Sequence, residues 1–204
     1  MLKRKIINKI LVVIGLLLII VAILSTYCFL HNKEIDKQET ETIINDLFPD
    51  VPTPEVEIPE ETPTIIETPK QEFVLTDNYL GYIELSGYGI KRLITTGTSK
   101  KVLDKNLVGT LSVSANLDDE FGNVILAGHS TSNVFQKLHY MRVGDQVKIV
   151  THQNTYYFTI ISKHTINDND MSYFNSINDK KQLTLVTCKN NSKQRLIVIC
   201  ELRG

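Results

Sequence analysis

Cys188 and Arg195 place a thiol and a guanidinium on either side of a short polar turn. They lie in "TLVTCKNNSKQRLIVIC" (184–200), where two β-branched apolar runs flank the segment KNNSKQ. A hairpin centred on the Asn191–Ser192 bond pairs Cys188 with Arg195 on one face of the sheet. A neighbouring guanidinium favours the thiolate over the thiol and can donate hydrogen bonds to an oxyanion. The pair therefore predicts a cysteine nucleophile supported by an arginine.

A disulfide between Cys188 and Cys200 is the ordinary alternative in a secreted domain. The same hairpin register places Cys200 opposite Leu183, five residues along the strand from Cys188. At about 3.3 Å per residue this separation is roughly 16 Å, whereas a disulfide tolerates Cα separations of about 7 Å at most. Cys200 is therefore predicted to be a small buried apolar residue and Cys188 a free thiol. The sequence has no C-x-x-C motif, which argues against a thiol oxidoreductase.

His129 is the best placed of the five histidines to assist a cysteine nucleophile. It follows an apolar, strand-like run in "NVILAGHSTSNVF" (123–135), directly after Ala127 and Gly128. Small residues at that point allow a second group to approach closely. His129 is therefore the predicted general acid and base. The other four histidines have no such context and are interpreted as membrane-edge, surface or turn residues: His31, His139, His152 and His164.

The segment 73–204 predicts the elements that position these three side chains. It contains no proline, and it divides into eight short apolar runs separated by turn residues. One short helix is predicted in "STSNVFQKLHYM", with Ser130 or Thr131 as its N-cap. Eight short strands indicate an all-β domain, either a closed β-barrel or a sandwich. The barrel is preferred because no proline or bulge signal protects an edge strand.

The segment 10–30 contains no charged residue. As a helix it spans about 31 Å, which is enough to cross a bilayer. The run is longer than the apolar core of a typical signal peptide, and no A-x-A-like cleavage site follows it. Lipidation at Cys28 is the other alternative, but bulky Tyr27 precedes that residue. We therefore predict an uncleaved transmembrane anchor in the plasma membrane, with the basic tail 1–9 in the cytoplasm and the remaining chain outside.

The segment 31–72 is predicted to be a stalk between the anchor and the domain. It carries twelve acidic residues against three lysines, and it holds all six prolines of the chain. Prolines and like charges favour an extended, disordered linker, although a short amphipathic helix is predicted at 34–47. The domain 73–204 has fifteen basic and eleven acidic residues, a dispersed excess of four positive charges. This distribution gives no support to a nucleic-acid partner.

These residues together resemble the sortase family. "LAGHS" (126–130) is similar to the family's histidine motif at a strand end, and "TLVTC" (184–188) matches its TLxTC box. Arg195 lies where the family keeps an arginine on the following strand. The resemblance covers roughly Tyr79 to Leu202. It implies an eight-stranded closed β-barrel with one or two short helices, and a cysteine transpeptidase of Gram-positive-type cell walls.

The resemblance also implies roles for the site residues. Cys188 attacks a backbone carbonyl in an LPXTG-like sorting signal at the C-terminus of a secreted protein, and a thioester forms. Arg195 holds the oxyanion, while His129 protonates the leaving amine and then deprotonates the acceptor amine. Thr187 resembles a family threonine that helps to place the substrate; a plain strand residue that points the other way is the alternative.

The acceptor implied by the resemblance is a cell-wall precursor amine, or a lysine of another protein in pilin-assembling members. Only six residues separate Cys188 from Arg195, whereas many relatives carry a longer loop there. The stalk also has no aspartate-aromatic lid motif, and no second transmembrane segment is expected at the C-terminus. These departures favour an anchoring enzyme over a pilin polymerase.

Some sortases bind calcium between two loops on one side of the barrel. Two acidic stretches are candidate ligands here: Asp118, Asp119 and Glu120 before the histidine strand, and Asp168 and Asp170 before the cysteine strand. Calcium takes about six to eight oxygen ligands, and two acidic loops can supply several of them. Ordinary acidic turns are the alternative, and the sequence indicates no other metal or cofactor.

Two other functions fit parts of the sequence. An L,D-type cell-wall transpeptidase also uses cysteine, histidine and arginine, but its cysteine motif is rich in glycine and serine, unlike TLVTC. A non-enzymatic, membrane-tethered extracellular binding module is the main alternative, and it predicts that Cys188 is buried and unreactive. Turnover and thiol reactivity therefore separate these functions.

Overall fold

A computed structural model describes residues 2–49, 79–189 and 193–203. Contacts group the chain into two compact units, residues 1–42 and 43–204. The Pro-rich part of the predicted stalk, residues 50–72, lies outside the described residues. The first unit is helical, and the second contains the end of that helix and the barrel.

The helix α1, Leu2–Leu47, contains the predicted membrane anchor. From Ile14 onward this helix is long and apolar enough to cross a membrane, and none of its apolar window is buried in the protein. Its large side chains are exposed from Ile14 to Leu30. An apolar surface of this length is suited to lipid rather than to water. The helix therefore supports membrane anchoring, while the predicted orientation in the membrane stays a prediction.

The end of α1 differs from the disordered stalk predicted from residue 31. Residues 31–47 are helical, so the helix predicted at 34–47 is confirmed as part of α1. Ile44 and Phe48 are only 2% and 6% exposed, and they share an apolar cluster with Tyr82, Leu93, Leu107 and Val150 of the barrel. Burial of apolar surface stabilises this end, which is why the helix reaches Leu47 instead of ending in a linker.

We expect Phe48→Ala to lower the free energy of unfolding of a 33–204 fragment by about 3 kcal/mol. Replacing a buried phenylalanine by alanine loses transfer free energy and leaves a cavity. Urea unfolding followed by circular dichroism measures the change. Ile35→Ala is the control, because Ile35 is 47% exposed and its replacement should change the stability by less than about 0.5 kcal/mol. Equal stability of Phe48→Ala and its parent would show that this end of α1 is not docked in solution.

The strands are β1 Tyr79–Leu85, β2 Ile90–Thr96, β3 Val108–Thr110, β4 Gly122–Ala127, β5 Gln146–Thr151, β6 Thr155–Asn167, β7 Lys181–Lys189 and β8 Gln194–Leu202. Among the described residues they close into a barrel in the order β1-β2-β3-β4-β7-β8-β6-β5, which confirms the predicted barrel. The pairs β2–β3 and β4–β7 are parallel, and the other neighbours are antiparallel. One apolar cluster fills the interior.

Two short helices lie in the connections between strands. The helix α2, Lys100–Leu103, connects β2 to β3. A 3₁₀ helix, Gln136–His139, lies between β4 and β5. The connection through α2 is a crossover, because β2 and β3 are parallel and a tight hairpin cannot join parallel strands.

The helix predicted with Ser130 or Thr131 as its N-cap is wrong in extent. Only four residues of that stretch are helical, and no side chain caps them. Val134 and Phe135 are fully buried, and the Phe135 N–H donates to the His129 carbonyl at 3.0 Å. Packing of this folded-back loop therefore overrides the capping signal in the sequence.

Candidate active site

The parallel pair of β4 and β7 brings the predicted histidine and cysteine to one end of the barrel. Ala127 pairs with Val186, and the Gly128 N–H donates to the Val186 carbonyl at 3.1 Å. His129 and Cys188 each follow that pair by two residues. Because parallel strands run in the same direction, both residues lie at the same edge of the sheet.

The strand β8 supplies the arginine. Cys188 lies directly opposite Arg195, and Leu183 lies opposite Cys200, which confirms the predicted hairpin register. Directly opposite residues of an antiparallel pair share a face, with Cβ atoms about 4.5–5.5 Å apart. The Arg195 Nη1 also donates to the backbone carbonyl of Gln194 at 3.2 Å. The fold therefore places the Cys188 and Arg195 side chains next to each other on one face of the sheet.

The site lies on the outer face of the barrel wall. Val186 and Ile197 belong to an outer apolar cluster, and residues two apart along a strand share a face. Cys188 and Arg195 therefore point outward with them, and both are half-buried. Cys200 belongs to the interior cluster and is fully buried, as predicted, and burial raises the pKa of its thiol. The two cysteines are on opposite faces, in agreement with the prediction that they form no disulfide.

Gly128 allows a close approach of the loop that follows His129. A Cβ at this position would lie 2.8 Å from Val134 Cγ1 and 2.9 Å from Phe135 Cδ2. Both distances are shorter than ordinary carbon–carbon contacts. The close approach inferred from the sequence therefore exists, and the approaching group is the protein's own histidine loop.

Thr187 also fixes the histidine loop. Its side chain is 2% exposed, and its hydroxyl donates to the Gly128 carbonyl at 2.9 Å. Adjacent strand residues point to opposite faces, so Thr187 faces away from the side that carries Cys188. A role of Thr187 in substrate placement stays a prediction.

A buried polar network, which sequence reasoning missed, holds the connection between β6 and β7. The Asn123 Oδ1 accepts from the Thr184 hydroxyl at 2.7 Å. The Asn123 Nδ2 donates to the carbonyls of Tyr173 and Asn175, each at 3.2 Å. These bonds hold the connection against the outer apolar cluster beside the site. Sequence spacing gave no signal of them, because β4, β7 and the connection meet only in the folded barrel.

Asp104 is a second functional candidate that sequence reasoning missed. It is the C-cap of α2, and its Oδ1 lies 3.3 Å from Nε2 of His129. Its Oδ2 accepts from Lys100 Nζ at 2.6 Å. The Lys100 ammonium, followed by His129, holds the pKa of the Asp104 carboxyl below its usual value. An ionised carboxylate therefore contacts the predicted acid and base.

The structure does not bring the two sets of calcium candidates together. Asp118, Asp119 and Glu120 precede β4, whose first residue pairs with the first residue of β7. Asp168 and Asp170 follow β6, whose last residue pairs with the first residue of β8. The first set therefore precedes one end of the barrel wall, and the second set follows the opposite end. Among the described residues, no group of three or more His, Cys, Asp or Glu side chains is arranged to hold a metal ion.

Local contacts within the protein occupy the first acidic stretch. The Asp118 Oδ1 accepts from the Thr151 hydroxyl at 2.8 Å. The Lys181 Nζ donates to the carbonyls of Leu117 and Asp119 at 2.7 and 2.6 Å. A lysine ammonium thus already binds the backbone oxygens of this turn. Calcium binding by the acidic turns stays a prediction.

The chain matches a family and a curated relative. A family model for the sortase domain matches residues 83–203, which is more than half of the chain. Sortase A from Listeria monocytogenes is 25% identical over 131 residues, which cover 62% of this chain and 57% of that relative. The match therefore spans little more than half of the relative's length.

Solved structures share the barrel. The Sortase D5 transpeptidase of Clostridium perfringens is 30% identical, with a TM-score of 0.58 over 62% of this chain and 80% of that one. Sortase C1 from Streptococcus agalactiae is 28% identical, with a TM-score of 0.57 over 62% and 68%. A lid mutant of Sortase A from Corynebacterium diphtheriae, 20% identical with a TM-score of 0.59 over 64% and 73%, supports the fold alone. With the matched domain and the closed barrel, the chain belongs to the sortase family.

Proposed function

We propose that this chain is a membrane-anchored cysteine transpeptidase. It cleaves an LPXTG-like sorting signal at the C-terminus of secreted proteins and transfers each protein to a cell-wall amine. The observation that carries the proposal is the pairing of Cys188 with Arg195 at the barrel end that also holds His129. Family membership supports the same reaction class.

Acyl transfer begins with the Cys188 thiolate. Its Sγ bonds to the scissile carbonyl carbon, and the C=O π electrons move to the oxygen. The Arg195 guanidinium donates to this oxyanion, which develops only in the transition state. When the oxyanion collapses, the C–N bond breaks, and the departing amine takes a proton from the His129 imidazolium. A thioester on Cys188 and a free amine result.

The second half reverses the first. Neutral His129 takes a proton from the incoming cell-wall amine as that amine attacks the thioester carbon. The new tetrahedral oxyanion again faces Arg195, and its collapse releases the Cys188 thiolate. One amide is exchanged for another, with no net change in redox state. The three side chains account for each proton and charge in the reaction. We therefore propose that the reaction uses no cofactor. Transpeptidase activity measured with a chelator and with added calcium tests this proposal.

The N-terminal helix supports the proposed location. Its exposed apolar surface fits the plasma membrane, and four basic residues precede the apolar run. The positive-inside rule then places the N-terminus in the cytoplasm and the barrel outside. There the barrel meets the proposed partners, namely secreted proteins with a sorting signal and cell-wall precursors.

Hydroxylamine capture tests the proposed reaction. The full chain in detergent micelles is incubated with an LPXTG-type peptide and hydroxylamine, and a peptide with a scrambled motif is the control. We expect mass spectrometry to show the hydroxamate of the cleaved peptide and, without hydroxylamine, a thioester on Cys188. If neither forms although Cys188 reacts rapidly with a thiol alkylator, the sorting motif is wrong. If neither forms and Cys188 is also unreactive, the binding module becomes the better account.

A further inference from the structure

Asp104 reaches His129 through the crossover connection of a parallel strand pair. Because β2 and β3 are parallel, the chain must return along the barrel between them, and it does so through α2 and Asp104. The strand β3 then pairs with the end of β4, with Gly109 opposite Ala127. Asp104 therefore arrives beside the loop that carries His129, 25 residues further along the chain.

Backbone contacts hold the turn that presents Asp104. Its N–H donates to the Lys100 carbonyl at 2.9 Å, and the Ser99 hydroxyl accepts from the Val102 N–H at 3.4 Å. Asn106 has a φ of 58°, a left-handed conformation that asparagine tolerates better than most residues. This conformation redirects the chain into β3. The carboxylate thus lies on an ordered turn.

The same turn is anchored by apolar packing. Leu107, on one side of Asp104, belongs to the cluster that contains Ile44 and Phe48, and Val102, on the other side, packs against that cluster. A side chain on a packed turn loses less conformational entropy when it holds a partner in one orientation. The geometry of the contact between Asp104 and His129 is therefore better defined than the geometry of a contact between two charged residues on flexible loops.

The chemistry of the contact fixes which nitrogen carries hydrogen. Asp104 is ionised, since the Lys100 ammonium lies 2.6 Å from its second oxygen. An ionised carboxylate only accepts hydrogen bonds. The Nε2 of neutral His129, 3.3 Å from Asp104 Oδ1, must therefore be the protonated nitrogen. Nδ1 is left to exchange protons with substrate amines.

We propose that Asp104 is a positioning residue that holds His129 in the Nε2–H tautomer, so that Nδ1 carries out both proton transfers. The inference rests on the proposed function, in which His129 is the acid and base. The carboxylate also stabilises the imidazolium that forms when His129 takes the proton of the acceptor amine. Because the Asp104 and His129 side chains are 48% and 38% exposed, solvent screens the pair and its effect is moderate.

The first experiment measures the kinetics of Asp104→Asn in the full chain, in detergent micelles. Asparagine keeps the shape but presents a donor as well as an acceptor, so it no longer selects one tautomer. We expect kcat to fall about tenfold, a part of the 10²–10⁴ typical of acid–base catalysis, with KM within about twofold. Asp104→Glu should recover most of kcat. The control Asp179→Asn removes an exposed carboxylate just before β7. Its kcat and KM should equal those of the parent.

The second experiment uses ¹⁵N NMR of the histidine rings in the same samples to identify the tautomer of His129. It is done at alkaline pH, where imidazole is neutral. The parent and Asp179→Asn should show His129 mainly as the Nε2–H tautomer, and Asp104→Asn should shift it towards Nδ1–H. His129→Gln assigns the signal. An unchanged tautomer in Asp104→Asn overturns the proposal, even if kcat falls, and so does a shifted tautomer with unchanged kcat. If the parent turns over no peptide, alkylation of Cys188 decides whether the sorting motif or the proposed reaction is wrong, and the tautomer alone decides whether Asp104 orients the ring.

Discussion

Cys188→Ala should abolish transpeptidation while the barrel stays folded. Without the thiol no thioester forms, and the amine acceptor has no activated acyl group to attack, so we expect turnover to fall at least about 10⁴-fold. The side chain is half-buried on the outer face at the end of β7, so its loss leaves no hole in the interior cluster. Peptide–amine ligation followed by chromatography measures turnover, and thermal melting by circular dichroism measures folding.

Cys200→Ala is the matched control, because it makes the same chemical change on the opposite face of the sheet. It should keep nearly full turnover and cost about 1 kcal/mol of stability, since a small buried group is lost from the core. Alkylation adds an independent readout: Cys188 should react in the folded parent, whereas Cys200 should react only after unfolding, because burial raises the pKa of its thiol. A folded but inactive Cys200→Ala, or an active Cys188→Ala, contradicts the assignment of the nucleophile.

The local part of this site could be predicted from the sequence. Cys188 and Arg195 lie on two strands that are close in sequence, and a hairpin with so short a connection permits few registers. The alternation of strand residues then fixes the faces, so Cys200 had to point inward once Arg195 pointed outward. Eight short runs in the domain likewise predicted eight strands, and the lack of proline in them favoured the closed barrel over a sandwich.

The non-local part could not be predicted. The contact between Asp104 and His129 depends on how a crossover connection returns beside a third strand. Thr184 and Asn123 are 61 residues apart, and only the parallel pairing of β4 with β7 joins them. Both contacts need the complete strand order, which follows from many weak interactions together and from no single motif.

In two places, tertiary packing overrides the structure that the local sequence predicts. Polar residues Ser130 and Thr131 have the chemistry of N-caps, yet burial of Val134 and Phe135 folds the following loop back over Gly128. At the end of α1 the acidic, polar sequence indicates a linker, but Phe48 is buried against the barrel. In each case a few buried apolar side chains outweigh local propensities, which differ by less than about 1 kcal/mol per residue.

Arg195→Lys should lower kcat about 10²-fold although the positive charge is kept. The guanidinium presents several N–H donors in a fixed plane, whereas a lysine ammonium is a point charge on a flexible stem. Opposite Cys188, this planar fork can hold the oxyanion while it bonds to the Gln194 carbonyl. Removing one oxyanion donor typically costs about 10²–10³ in rate. Because the oxyanion exists only during the reaction, KM should change far less than kcat.

Arg203→Lys is the matched control, since Arg203 is exposed beyond the end of β8 and the change should leave kcat within about twofold. Steady-state ligation kinetics of both variants separate kcat from KM, and melting curves verify that both are folded. A raised KM with unchanged kcat would assign Arg195 to substrate binding alone. Loss of turnover in Arg195→Lys together with retained, rapid alkylation of Cys188 would support the proposed role of Arg195 at the oxyanion.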